Sequence, residues 1–321
     1  MRKIMATFGF AAAATALTLL TAGAAEAQTS PPPASAYDAG IAAAIHSDDA
    51  GSTELPDGEN LWVFGDTTQV DGVSTVSGYG YPHDAFALQE PGSTTFQVLP
   101  GPYGYGWQQV PDWSNGDYFW PSGLTVDGPT LYVFGEQVSG ISVVTDAVAQ
   151  FNAATLTYQG ITLLPTAEDW GGILWGQGGF WMPGTSNVSC IDATDCKTGV
   201  LAWVPAGDEA DYAAWTVTTG VFPPALNTGT VISPVQTATG YAAFTKEGDE
   251  YGSNSIEELT AASMTGPWTV GQIIPAPCPP GTLTYGVQVH QNEPVNAGQV
   301  LLTYAVNGPA QYWPDFVYVT P

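Results

Sequence analysis

The chain has 321 residues, of which 30 are Asp or Glu and only 4 are Lys or Arg, for a formal charge of −26. So anionic a surface repels nucleic acid, anionic lipid and sulfated polymers, which sets those partners aside. Yet only 11% of residues are charged and 12% are aromatic, a balance suited to a neutral, hydroxyl-rich partner such as a polysaccharide or oligosaccharide.

In chain order, Arg2 and Lys3 precede an apolar run from Ile4 to Ala25, and Ala25-Glu26-Ala27 has the small-x-small form of a signal-peptidase site. Residues 1–27 are therefore predicted to be a signal peptide, and the protein to be secreted, with no membrane association after cleavage. A retained anchor is the alternative, disfavoured by a weakly apolar Ala/Thr-rich core. Residues 28–36, with Pro31-Pro32-Pro33, read as an extended spacer, and 37–321 as one catalytic domain. Helical periodicity is scarce: only Asn254 to Met264 reads as a turn or two of helix. The rest is short β-branched and aromatic runs punctuated by 38 Gly and 26 Pro, an all-β pattern.

Ser47 to Thr67 is the richest stretch. Asp57-Gly58 is a tight-turn signal, and Leu61-Trp62-Val63-Phe64 forms a strand. Asp48 precedes Asp57 by nine residues and Asp66 follows it by nine, so a hairpin brings the two acids nearly opposite, within roughly 5–8 Å. Two carboxyls at that separation can divide acid and base work. The alternative is that both satisfy backbone amides at strand ends. Asp49 is the register alternative to Asp48.

Further along, His83-Asp84 opens the strand Ala85 to Leu88 and is a candidate to face the site, against the usual structural role of a lone histidine. The long segment Gly101 to Trp120 is rich in aromatics. Within it Trp107, Trp113 and Asp117 are candidate substrate-binding residues, while Trp120, beside Pro121, is expected in the core. Trp175 stays open between core and site. Cys190 and Cys196 bracket a loop that a disulfide can close in an oxidising compartment, leaving Cys278 over. Three Cys and three His show no zinc spacing, and Asp192 with Asp195 supply too few oxygens for calcium. No cofactor is expected; a calcium ion in a central channel is compatible with the architecture below, but no residue specifies it. Nucleophile-elbow, zincin, phosphate-loop and dinucleotide motifs are absent from the sequence.

Leu61-Trp62-Val63-Phe64-Gly65-Asp66-Thr67 is echoed from residues 131, 179, 241 and 301, at intervals each long enough for one four-stranded antiparallel sheet plus loops. Five such units predict a five-bladed β-propeller, with a β-sandwich as the competitor. In a propeller Asp48, before an innermost strand, and Asp66, ending a second strand, share one face near the axis. Glu136 takes the place of Asp66 in the second echo and is a further substrate-binding candidate. His290, in the last unit, is a candidate to reach the axis.

The motif Asp48…Leu55-Pro56-Asp57-Gly58…Leu61 to Thr67 resembles a bacterial propeller family formerly of unknown function and now associated with endo-D-arabinanase activity. Phe119-Trp120-Pro121 leading into Leu131 to Phe134, Tyr285 to His290, and Leu301 to Asn307 resemble it too, so the likeness spans most of the mature chain. The resemblance implies acid and base roles for Asp48 and Asp66 and a glycoside hydrolase acting on arabinan. The chain departs from the family pattern at Tyr312 to Val317, where an arginine-containing run is expected, and after His290. A non-catalytic carbohydrate-binding propeller and an acidic scaffold for a protein partner are the competing functions.

Overall fold

The computed structural model describes residues 30–76, 80–103, 106–166, 168–187, 197–223, 231–248 and 253–321. Helix α1 (Ala34–Ala44) leads into β1 (Ile45–Ser47), β2 (Gly51–Glu54) and β3 (Asn60–Phe64). β4 (Thr67–Val70) pairs with β1 on one side and β5 (Val73–Ser74) on the other in a side sheet, and β6 (Ala85–Gln89) and β7 (Gln97–Val98) complete a first large sheet ordered β2-β3-β6-β7. The second runs β8 (Tyr118–Asp127), β9 (Thr130–Ser139), β10 (Ser142–Asn152) and β11 (Tyr158–Leu164). In the third, β12 (Glu168–Trp170) and β13 (Leu174–Gly176) both pair with β14 (Gly179–Asn187), followed by β15 (Lys197–Pro205) and β16 (Thr216–Thr219). The fourth is β17 (Ser233–Thr237), β18 (Gly240–Lys246), β19 (Ser255–Ala261) and β20 (Thr269–Pro275). In the fifth, β21 (Leu283–Val289), β23 (Gln311–Tyr312) and β24 (Asp315–Val319) all pair with β22 (Val300–Gly308).

The apolar residues of each sheet face both neighbours, and the sheets pack in a ring. Val63 and Phe86 of the first sheet meet Phe119 and Val133 of the second. Phe134 meets Trp170 and Phe180 of the third, and Leu201 meets Ala243 and Leu259 of the fourth. Phe244 and Ile256 meet Val287 and Leu302 of the fifth. Leu301 and Phe316 close the ring on Trp62 and Phe64 of the first. Each large side chain so buried contributes about 1.5–3 kcal/mol. This is the β-propeller arrangement the echoes predict, and every echo is the second strand of a sheet.

Helix α1 seals the closure. Tyr37, Ile41 and Ala44 form its buried stripe, at the spacing one helix face requires. The Tyr37 ring stacks on Phe316 at 5.2 Å, and the Phe316 amide donates to Asp38 Oδ1 at 2.7 Å. The sequence reading did not foresee this helix, and its first residues, Ala34 to Ala36, fall in the segment expected to be an extended spacer. Conversely, the Asn254–Met264 stretch expected to be helical carries strand β19: Ile256 and Glu258 alternate inward, and pairing with β18 and β20 outweighs the local Glu-Glu-Leu preference. Among the described residues no helix is long and apolar enough to cross a membrane.

Candidate active site

The first hairpin turns at Pro56-Asp57-Gly58, where Gly58 holds φ +91°. Its register, Gly51 opposite Val63, carries on past the regular ladder: the Gly65 amide donates to Asp48 O at 2.9 Å and the Asp48 amide to Asp66 O at 3.2 Å. The two acids are therefore cross-strand neighbours at one end of the propeller, as the spacing about Asp57 predicts. Asp49 holds φ +49°, and its carboxyl lies against Gly286 of β21.

Different elements hold the two carboxyls. On Asp48, Oδ2 accepts hydrogen bonds from the Tyr285 hydroxyl at 2.8 Å and the Tyr312 hydroxyl at 3.2 Å, both from the fifth sheet. Asn307 Nδ2 in turn donates to the Tyr285 oxygen at 3.0 Å. Burial pushes the Asp48 carboxyl well above the usual carboxylate range, and the charges of Asp66 and Asp49 push it further. Burial, and then the Asp48 charge, also raises both tyrosines, which keeps them protonated donors.

On Asp66, Oδ1 receives His83 Nδ1 at 2.7 Å and Trp120 Nε1 at 2.8 Å, leaving Oδ2 for any further donor. The donor tautomer of His83 follows from the acceptor it faces. Tyr81 is also hydrogen-bonded to Asp66, and its hydroxyl is pushed up to about 12 by burial first and Asp66 second. The His83 ring lies flat on Tyr118, with centroids 3.5 Å apart and planes 12° apart, and Tyr118 donates to Gly140 O. Asp66 thus sits in a bowl of Tyr81, His83, Tyr118 and Trp120.

Glu136, 9% exposed, lies opposite Trp120 on β8 and Asp146 on β10, one strand outward from the Asp66 bowl. Asp146 is fully buried; burial raises its carboxyl to about 8, helped by Glu168 and Asp169. Glu168 and Asp169 open the third sheet at this same end and were not singled out from the sequence. Lys246, the last residue of β18, is buried in the fourth sheet at the position equivalent to Asp66.

Several sequence candidates belong elsewhere. Trp107 packs on the core around Trp62 rather than beside the acids, because the base of its loop folds against the Asp57-Gly58 end of the first hairpin. Trp113 packs on the core between the first and second sheets. Asp117 accepts from Asn115 Nδ2 at 2.8 Å and Gln137 Nε2 at 2.6 Å, so it braces its own turn. His290 is 1% exposed: it joins Ser52 Oγ at 2.7 Å to Thr303 Oγ1 at 2.8 Å and lies over Trp62. Burial holds it near 3, a neutral core histidine beside the channel rather than a ligand of the acids. Trp120, expected in the core, is instead a donor to Asp66. Trp175 is 42% exposed at the channel mouth, with Nε1 on Thr125 Oγ1. The Cys190–Cys196 loop and the signal segment lie outside the described residues.

A cavity of about 610 Å³ is the central channel, lined by Ser52, Thr125, Trp175, Gln236 and Gln288 of the innermost strands. Between Asp49, Ser122 and Gln288 a second cavity of about 10 Å³ has room for one water. Among the described residues no group of three or more His, Cys, Asp or Glu is disposed to hold a metal ion.

No protein-family model and no curated protein sequence matches the chain. Solved structures do. A candidate hydrolase from Bacteroides ovatus superposes with a TM-score of 0.64 at 13% identity, over 88% of each chain. An α-L-arabinofuranosidase from Lactobacillus brevis gives 0.56 at 11% identity, over 91% of this chain and 93% of that one. An exo-β-1,3-galactanase from Phanerochaete chrysosporium gives 0.56 at 11% identity, and this chain spans 60% of its length. At such identities the likeness establishes a shared fold.

Proposed function

We propose that this protein is a glycoside hydrolase that cleaves a neutral furanose polysaccharide, arabinan, and that Asp48 and Asp66 are its catalytic pair. The observation that carries the reading is the unequal environment of two neighbouring carboxyls. Asp48 is partly buried, faces like charges and favours its protonated form, as a general acid must. Asp66 offers a carboxylate already oriented by two N–H donors. Asp48 gives its proton to the glycosidic oxygen as the C1–O bond breaks, and the electron pair leaves with that oxygen. Asp66 takes the proton of the water that adds to C1, or attacks C1 first and is displaced by water whose proton returns to the Asp48 carboxylate; the carboxyl separation in the substrate complex selects the route. The Tyr81, His83, Tyr118 and Trp120 bowl supplies stacking faces and hydroxyls for a sugar ring. The arabinofuranosidase among the fold neighbours and the arabinanase-like motif around Asp57 support furanose as the substrate class. In this reading the N-terminal segment exports the enzyme to meet extracellular glycan.

The test is incubation of the mature protein with D-arabinan and L-arabinan and assay of released reducing ends. One of the two should be cleaved, and Asp48→Asn and Asp66→Asn should each remove the activity. Full activity in either variant would sink the role assigned to that acid.

A further inference from the structure

The fifth sheet reaches back across the ring closure to grip Asp48, 237 and 264 residues away in sequence from Tyr285 and Tyr312. We propose that Tyr285 and Tyr312 are positioning residues that fix the Asp48 carboxyl as proton donor and absorb the charge it develops as the proton leaves. This rests on the glycosidase reading above. Both phenols converge on Oδ2, which places the acidic proton on Oδ1. A phenol donates weakly to a neutral carboxyl oxygen and strongly to a carboxylate. Both hydrogen bonds therefore tighten as the Oδ1–H bond breaks and the glycosidic O–H bond forms, so they favour the transition state over the ground state. Neither tyrosine gains or loses a proton in the step.

The clamp is built rather than incidental. Asn307 on β22 pins the Tyr285 oxygen, and burial keeps both phenols protonated. The titratable groups facing Asp48 are the Asp49 and Asp66 carboxyls, the Tyr81 hydroxyl and the two clamp phenols. Of these the clamp phenols are hydrogen-bond donors to the Asp48 side chain, and they work against the like charges.

Tyr285→Phe and Tyr312→Phe keep each ring and remove each donor. Selective ¹³C labelling of aspartate, with Asp48 assigned by its loss in Asp48→Asn, reads the Asp48 titration directly. Each Phe variant should raise the Asp48 midpoint by roughly one unit, because the ionised form loses a donor. The descending, high-pH limb of kcat/KM should move the same way, while kcat falls about ten- to a hundredfold with KM little changed. Asn307→Ala should reproduce part of the Tyr285→Phe shift. An unmoved midpoint, or a loss confined to KM, overturns the proposal. A moved midpoint in a protein that cleaves no glycan upholds the grip on Asp48 and refutes the glycosidase reading instead.

Discussion

Gly65 separates the Asp66 carboxylate from the strand that carries it, and adding one carbon there tests the site with little disturbance to the fold. A Cβ on Gly65 would stand 2.5 Å from Asp48 Oδ1 and 3.5 Å from its Cγ. Gly65 is not among the positive-φ residues, so alanine meets no backbone strain. The clash is with the carboxyl alone. To reach ordinary contact the carboxyl must retreat by up to about 1 Å, and Tyr285 and Tyr312 already hold its other oxygen. A misplacement of about 1 Å at a reacting group costs on the order of a hundredfold in rate. The entropy lost from the unfolded chain favours alanine by about 0.4–1 kcal/mol and offsets part of the clash. Gly65→Ala should therefore lower kcat on arabinan about a hundredfold while its melting temperature stays within a few degrees of wild type. Reducing-end release and thermal melting measure the two. Unchanged activity would refute the inference that residue 65 must leave room for the Asp48 carboxyl.

Two other outcomes concern stability. Asp84 and Asp146 are raised to about 8 and Asp38 to about 6, burial being the largest cause of each. Folding then binds protons between about pH 4 and pH 8, so stability should be greatest below pH 4–5 as far as these groups are concerned and fall as pH rises through 8. Thermal melts from pH 5 to pH 9 should show that decline. Asp84→Asn, which keeps an oxygen for the Gln109 and Val110 amides, should flatten it; an unaltered slope would exclude Asp84 as a contributor. Tyr37→Ala removes the ring stacked on Phe316 and the hydroxyl on Glu293, and should cost about 3–5 kcal/mol in a denaturant titration.

The two acids were legible because their relation is local. One Asp-Gly turn fixes which residues oppose each other, and nine residues on either side of it places Asp48 and Asp66 together. The five echoes were legible for the same reason, each being the second strand of a sheet with its own buried face. Helix α1 was hidden because only Tyr37, Ile41 and Ala44 mark its inner face, in a segment that follows three prolines and looks like a linker. The Gly101–Trp120 segment misled in the opposite way: its aromatics suggest a sugar platform, but the loop turns toward the far end of the first hairpin, and Trp107 fills core instead.

What one sequence could not disclose is which residues complete the site, since that depends on how the ring closes. Tyr285 and Tyr312 carry no local signal; they become partners of Asp48 only because the last sheet packs against the first through Phe316 and Trp62. The same holds for Trp120, whose indole reaches Asp66 across the boundary between the first and second sheets. Asp48 therefore takes its side-chain donors from the fifth sheet, and Asp66 takes one of its own from the second. A substitution that loosens ring closure, such as Tyr37→Ala, should leave the Asp66 bowl intact and disturb Asp48 first. The high-pH limb of activity, set by Asp48, should consequently respond to damage at the closure before any property set by Asp66 does.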